Sequence, residues 1–210
     1  MQCRSQANVL GSRFRRAPVI LVVVAQVCAD THGGIDMKMR IWLNTVTALA
    51  VLAGCADRHR IERVVEAQQT LSPAASAYIA VPENGRYGSK AYDSSGRMAS
   101  SIIAAAFMRR LVRVEQAART ENYDEALAAA RKNGATYLVV PDILHWEDRA
   151  TEWSGKPDRA EVRIKVIDTA SERLLASGLI SGRSGLATLG GDHPQDLLPQ
   201  PTEEYVRSLF

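Results

Sequence analysis

Cysteine, aromatic side chains and an excess of charge of one sign are all scarce in this sequence of 210 residues. There are three cysteines, aromatic residues make up 6% of the chain, and 26 basic residues stand against 23 acidic ones. Six of these basic and two of these acidic residues lie in residues 1–54, which leaves 20 and 21 in the remainder. A body so close to neutral argues against nucleic-acid binding, because that affinity depends on neutralising phosphates.

A long hydrophobic run is also missing, although a short one lies near the N-terminus. A basic start, Met37–Arg40, precedes the mostly apolar stretch Ile41–Ala53, and Gly54 and Cys55 follow. This order is typical of a secretory signal peptide. The stretch is shorter than the ~20 apolar residues that a spanning helix needs. We therefore assign residues 37–54 to a signal peptide.

The last four residues of this segment, Leu52-Ala53-Gly54-Cys55, resemble the lipobox of bacterial lipoproteins. The resemblance implies that the Cys55 thiol carries a diacylglyceryl group and that Cys55 becomes the first residue of the mature chain. This covalent lipid is the only prosthetic group we expect. Because Ala56, and not an aspartate, follows the cysteine, the resemblance also implies sorting to the outer membrane. The alternative is that Cys55 is a buried thiol at the end of a core helix.

Residues 1–36 contain a second basic-then-apolar segment, from Arg13 to Cys28. Valine directly before Cys28 makes a poor lipobox, so we interpret 1–36 as a mis-assigned start, with translation beginning at Met37 or Met39. The alternative is a tandem leader or short anchor. Removal of Cys3 and Cys28 would leave Cys55 without a partner for a disulfide.

The remaining chain divides into three segments. Residues 55–75, mixed in charge and without a periodic apolar face, are expected to form the lipidated N-terminus and a tether. Residues 76–189 are expected to form a periplasmic domain, and residues 190–210 a proline-containing tail with a short terminal helix from about Thr202.

Within the domain, strands are predicted at 77–81 and 111–114, and helices along the apolar stripe 98–111 and at 123–132. Asn122 and Glu125 form a capping pair for the second helix. The continuous apolar run 136–140 indicates a strand buried on both faces that continues towards Trp146. Alternation in 162–166 and a partner at 173–181 predict a hairpin. The fold class is thus α/β (α+β): a mixed sheet of about five strands, with two strand–helix units followed by the hairpin.

Two further segments carry a family resemblance. The loop Gly85–Gly96 and the stretch Leu144–Asp158 are similar to those of small proteobacterial envelope lipoproteins of unknown function, over a match from about Met37 to the C-terminus. The resemblance implies a lipidated envelope protein and supplies no activity.

These same segments hold the candidate binding residues. The loop precedes a helix N-terminus, where free amides attract anions, but it lacks the spacing of a phosphate-binding loop. His145 and Glu147 should share one strand face, with Trp146 on the other. Two ligands are too few for zinc, and no nucleophile motif supports a catalytic triad. The candidates are Arg86, Tyr87, Lys90, His145, Trp146, Glu147, Arg149 and Trp153.

The function we predict is that of a non-enzymatic outer-membrane lipoprotein that acts as an accessory or scaffold and contacts another envelope protein through the Trp-bearing hairpin and the 85–96 loop. The tryptophans would be interface residues in that case, whereas the alternative is that they cover the edge of the core. A second hypothesis is a sensor of a small anionic or lipidic ligand at the 85–96 loop. A third, an envelope hydrolase, needs a deep pocket that joins His145 with Glu147 or Asp148.

Overall fold

The computed structural model describes residues 57–67, 69–148, 157–185 and 193–210. The lipobox Leu52–Cys55, the sorting residue Ala56, and the candidate residues Arg149 and Trp153 lie outside these ranges. Among the described helices, none is both long and apolar enough to cross a membrane.

Eight strands and three α-helices follow one another along the described chain. In order they are β1 (Arg58–Val65), β2 (Ser76–Val81), β3 (Arg86–Tyr87), β4 (Lys90–Ala91), α1 (Ser95–Met108), β5 (Arg113–Thr120), α2 (Tyr123–Lys132), β6 (Tyr137–Glu147), β7 (Arg159–Asp168), β8 (Leu174–Arg183), a 3₁₀ helix (Pro194–Leu197) and α3 (Pro199–Arg207). Six strands form one sheet in the order β1-β8-β7-β6-β2-β5, and β3 and β4 form a small hairpin. Strand β2 pairs in parallel with β5 and β6, and the other pairs of the large sheet are antiparallel. The predicted mixed α+β class with a short terminal helix is confirmed.

The two faces of the large sheet are covered differently. Helices α1 and α3 pack on one face, where Phe107 and Tyr205 meet alternate residues of the strands. Helix α2 packs on the other face, mainly over β2 and β6, and its hydrophobic cluster also includes Ala117 of β5 and Ile167 at the end of β7. The two parallel crossovers run in opposite directions across the sheet, which places α1 and α2 on opposite sides. Beyond Ile167, the described helices leave the second face uncovered over the rest of β7 and over β8 and β1, and we call this part the open face.

The capping pair of α2 forms as the sequence predicts. The Glu125 amide donates to Asn122 Oδ1 at 3.0 Å, and the Asn122 amide donates to Glu125 Oε2 at 3.1 Å. The two amides are thereby satisfied at the helix start. This helix spans the predicted residues, because cap and apolar periodicity agree.

The prediction of a tether is wrong for residues 58–65, which form β1. This strand pairs antiparallel with β8 from Arg58 opposite Arg183 to Val65 opposite Ser177. Its side chains are mostly exposed, with Ile61 half-buried. An edge strand is held largely by main-chain hydrogen bonds, which leave little trace in hydrophobic periodicity. The large sheet therefore has six strands where about five were expected.

Three smaller boundaries also differ. Strand β5 starts at Arg113, two residues later than predicted, because Leu111 and Val112 belong to the turn after α1. The loop 83–95 contains the β3–β4 hairpin, whose strands of two residues are too short to show periodicity. Helix α3 starts at Pro199, where proline suits the first turn of a helix.

Candidate functional site

The loop Gly85–Gly96 and the described first part of the second segment, residues 144–148, lie against each other in the structure. The β3–β4 hairpin packs beside the second half of β6. Gly85 lies so close to β6 that an added Cβ would stand 2.5 Å from Trp146 Cβ, so only glycine fits there. The rings of Tyr87 and His145 meet edge to face, with centroids 5.3 Å apart. We call the exposed surface formed by Arg86, Tyr87 and His145 the hairpin surface.

Hydrogen bonds fix the loop that carries this hairpin. The Gly85 amide donates to Ser95 Oγ at 2.8 Å, and that hydroxyl donates to the Tyr92 carbonyl at 2.6 Å. The Gly96 amide in the first turn of α1 donates to Asn84 Oδ1 at 3.1 Å. This amide is therefore engaged within the protein, which weakens the case for an anion at this helix start.

The two cations of the loop, Lys90 and Arg86, differ in their side-chain contacts. The Lys90 ammonium lies over the Tyr92 ring, 4.6 Å from its centroid, in a cation–π contact. Arg86 is exposed and pairs through its main chain with Ala91. The anion site at this loop stays a prediction. Arg86, which forms no ion pair with the described residues, is the exposed cation that such a site would use.

The side chains of His145, Trp146 and Glu147 on β6 alternate between the two faces of the sheet, as predicted. His145 Nε2 lies 3.2 Å from Glu147 Oε2, so the two side chains share a face. The Glu147 residue is 7% exposed. Trp146 points the other way, is 2% exposed and packs in the core beneath α1 and α3. Its indole covers the core, the alternative that the sequence left open.

His145 and Ser181, which share one face of the sheet, are not placed as a catalytic base and its nucleophile. Ser181 lies on β8 and His145 on β6, with Glu161 of β7 directly between them. Strands are ~4.8 Å apart, so about 10 Å separates the two backbones. That separation exceeds hydrogen-bond reach for a nucleophile and its base. The described residues also hold no group of three or more histidine, cysteine or acidic residues placed to bind a metal.

A second feature, on the open face, was not predicted from the sequence. At one end of the sheet Arg58 of β1 stands directly opposite Arg183 of β8, which stands opposite Arg159 of β7. Glu147 of β6 continues this row beside Arg159. Residues opposite each other across a strand pair lie on the same face, ~4.5–5.5 Å apart at Cβ. We call Arg58, Arg183 and Arg159 the arginine row.

The arginine row lines a cleft of about 570 Å³, which Arg60, Ser181 and Glu147 also border. Arg159 is offset by Glu161, at 2.9 Å, and Glu147 is engaged with His145. Within the part of the chain that the structure describes, Arg58 and Arg183 form no ion pair, and both are exposed. Strand-end arginines from three distant segments are brought together only by strand register, so no sequence motif marks them.

Comparisons with known proteins bear on the fold more than on the site. A family model described as a domain of unknown function (DUF4823) matches residues 69–209. No protein with a curated description matches the chain.

Among solved structures, the PelC dodecamer of Paraburkholderia phytofirmans has a TM-score of 0.56 and 15% identity, over 73% of this chain and 97% of that one. The lipoprotein GNA1162 of Neisseria meningitidis has a TM-score of 0.41 and 16% identity, over 53% of this chain and 84% of that one. The similarity to PelC over nearly its whole length shows a shared fold.

Proposed function

This chain belongs to the DUF4823 family, whose domain has no known function, and we propose that it is a lipid-anchored, non-enzymatic accessory protein of the bacterial envelope. Cys55 is the site of lipid attachment, and the mature chain stands on the periplasmic face of the outer membrane. Its hairpin surface contacts another envelope protein.

One observation supports lipid attachment at Cys55. The described part of the domain begins with exposed residues two positions after the lipobox. Asp57 and Arg58 are exposed, and Asp57 Oδ1 accepts a hydrogen bond from the Gly185 amide at 3.2 Å. β1 is an edge strand, so the chain enters the fold without crossing the core. Entry of the chain at an exposed edge strand, three positions after Cys55, supports lipid attachment at that cysteine.

The accessory role is supported by the hairpin surface. Tyr87 is 43% exposed, and its neighbours Arg86 and His145 add polar groups around it. A rigid aromatic ring with arginine beside it is the composition that protein interfaces favour. The loop needs little ordering on binding, because Ser95 and Asn84 already hold it.

The anchor is tested by the mass of the N-terminal peptide of the protein purified from membranes of its host. We expect an N-terminus at Cys55 that carries diacylglyceryl and acyl mass. Cys55→Ser should abolish this mass, and the matched variant Cys28→Ser should leave it unchanged. An unmodified N-terminus upstream of Cys55 would overturn the proposal.

Sorting is tested separately with Ala56→Asp. We expect this variant to remain in the inner-membrane fraction, whereas Ala56→Gly should follow the parent protein to the outer membrane. Identical fractionation of all three proteins would contradict the assignment to the outer membrane.

The hairpin surface is tested by cross-linking in intact cells. We expect a specific cross-linked species of the parent protein to disappear with Tyr87→Ala. Tyr123→Ala on α2 removes a tyrosine of similar exposure, 41%, and should leave that species in place. Loss of the species with both variants, or with neither, would count against a contact at this surface.

Self-association is a second candidate function, favoured by the free edge of the sheet. β5 is an edge strand, and next to it Val112 and Met108 are 75% and 57% exposed. An uncovered edge with apolar neighbours is a template for pairing with a second copy. The shared fold with a PelC dodecamer supports a ring built from one such contact repeated head to tail.

The mass of the detergent-solubilised protein by light scattering tests this candidate. We expect an oligomer that Val112→Lys converts to the monomer. Leu174→Lys alters an apolar residue of 44% exposure at the start of β8 and should leave the oligomer intact. A monomeric parent protein would exclude the candidate.

A further inference from the structure

The arginine row lies very near the proposed point of lipid attachment. Arg58 is the third residue after Cys55, and a fully extended chain spans at most ~3.6 Å per residue. The backbone of Arg58 therefore stands within about 11 Å of Cys55, whose acyl chains lie in the bilayer. This step rests on the proposed anchor. It replaces the expected tether with a domain that begins at the membrane surface.

Strand register extends this proximity to a second arginine. Arg183 stands directly opposite Arg58 across the β1–β8 pair. Since adjacent strands lie ~4.8 Å apart, Arg183 is carried to the same end of the sheet, close to the bilayer. The turn between β7 and β8, residues 169–173, lies at the opposite end of these strands.

Two like charges directly opposite each other are unfavourable for the isolated fold. Glu147, whose carboxylate borders the cleft, lies 3.2 Å from His145, and Glu161 lies 2.9 Å from Arg159. Arg60, two residues after Arg58 on the same face of β1, forms an ion pair with Glu62 at 3.6 Å. Among the described residues, none forms an ion pair with Arg58 or Arg183, so an external anion bound by both would relieve their repulsion.

We propose that Arg58 and Arg183 bind phosphate groups of the phospholipids in the bilayer that holds Cys55, and thereby hold this end of the open face against the membrane. The planar guanidinium binds phosphate through two parallel hydrogen bonds. The cleft of about 570 Å³ beside the two arginines provides space for a headgroup. The lipid anchor supplies attachment, and the arginines supply orientation.

The test uses the lipidated protein reconstituted into vesicles and a fluorophore attached at Ser181→Cys, on the open face beside the row. No other free thiol is expected, because Cys55 is alkylated and Cys3 and Cys28 lie in the removed segment. A quencher on the lipid headgroup reports contact of this face with the membrane. A label at Ala170→Cys, in the turn at the opposite end, is the control position.

We expect strong quenching at Ser181→Cys in vesicles of phosphatidylethanolamine and phosphatidylglycerol, and weak quenching at Ala170→Cys. Arg58→Gln with Arg183→Gln should lower the ratio of membrane-contacting to free orientations about 25-fold, since each arginine near an anionic surface contributes about fivefold. The matched pair Arg173→Gln with Arg207→Gln removes two exposed arginines elsewhere and should leave quenching unchanged. Raising the salt to about 1 M, where the Debye length is ~3 Å, should reduce quenching of the parent protein.

Equal quenching of the parent protein and the Arg58/Arg183 variant, or equal quenching at the two label positions, would overturn the proposal. The intact mass of the same sample separates this result from failure of the anchor. If lipid mass is present on Cys55 and the arginine substitutions do not change quenching, the proposed orientation is wrong and the proposed anchor still holds. If lipid mass is absent, the anchor fails, and the orientation that rests on it fails with it.

Discussion

The two faces of β7 and β8 differ although the same strands build them. On the covered face Val162, Ile164 and Val166 are at most 1% exposed and pack under α1 and α3. On the open face the alternating residues of β7 are charged, and Arg159, Glu161 and Lys165 each lie beside an opposite charge. One strand thus provides packing on one side and a surface for recognition on the other. The comparison indicates that substitutions in β7 and β8 should separate into those that affect stability and those that affect binding.

The largest expected effect is on the covered face. Ile164→Ala should lower the free energy of unfolding by about 3 kcal/mol, because the side chain is fully buried and its removal leaves a cavity. Lys165→Ala, the next residue on the open face, should change it by roughly 0.5 kcal/mol at most, since its ion pair with Asp142 is exposed. Urea unfolding of the two variants measures the difference. Similar losses would mean that the open face is also a packed interface.

A smaller loss is expected where the hairpin surface meets the core. Gly85→Ala should cost about 2 kcal/mol, because the new Cβ would collide with Trp146. Gly88→Ala should cost only about 1 kcal/mol, for its left-handed backbone, since open space surrounds it. Thermal unfolding ranks the two variants. A larger loss of stability for Gly88→Ala than for Gly85→Ala would show that the hairpin does not pack closely against β6.

Tyr78, which is buried beneath α2 on the second face, should make the stability of the domain depend on pH in the alkaline range. Burial and the hydrogen bond to Glu121 raise the pKa of Tyr78 to about 12. Below pH 10 the folded and unfolded chains both keep this proton, so its contribution to stability is fully present. Between pH 10 and about 12 only the unfolded chain loses it, and stability falls by roughly 1.4 kcal/mol per pH unit.

Tyr78→Phe should therefore flatten the alkaline decline of the unfolding free energy, measured by urea titration at each pH. Tyr123→Phe, on the exposed part of α2, is the control and should keep the slope of the parent protein. A decline that survives in Tyr78→Phe would assign the linkage to other groups.

The smallest expected effect has the opposite sign. In the absence of membranes, Arg58→Gln with Arg183→Gln should stabilise the domain by roughly 0.5 kcal/mol at low salt, because it removes a repulsion between facing charges. The gain should shrink as salt is added, since the charges are exposed. A loss of stability in the same urea experiment would show that these arginines serve the fold.

Several elements were predictable because local signals coincide. The Asn122–Glu125 cap and the apolar run of β6 appear where expected, and period-two alternation correctly placed His145 with Glu147 and opposite Trp146. Strand β1 was not predictable, because an edge strand with exposed side chains depends on main-chain pairing with a partner far along the chain. The β3–β4 hairpin is too short to leave a pattern, and its contact with β6 through Tyr87 and His145 arises only from tertiary packing.

The sequence by itself determined the class of the fold, the capped helix and the central strand, since these follow from periodicity and capping within short windows. It also contains the lipobox, on which the proposed anchor rests. The tertiary structure alone decided which arginines become neighbours and which face of the sheet stays open. Cross-strand register joins Arg58, Arg159 and Arg183 across more than a hundred residues, and no local pattern encodes a contact that arises only when three strands pair.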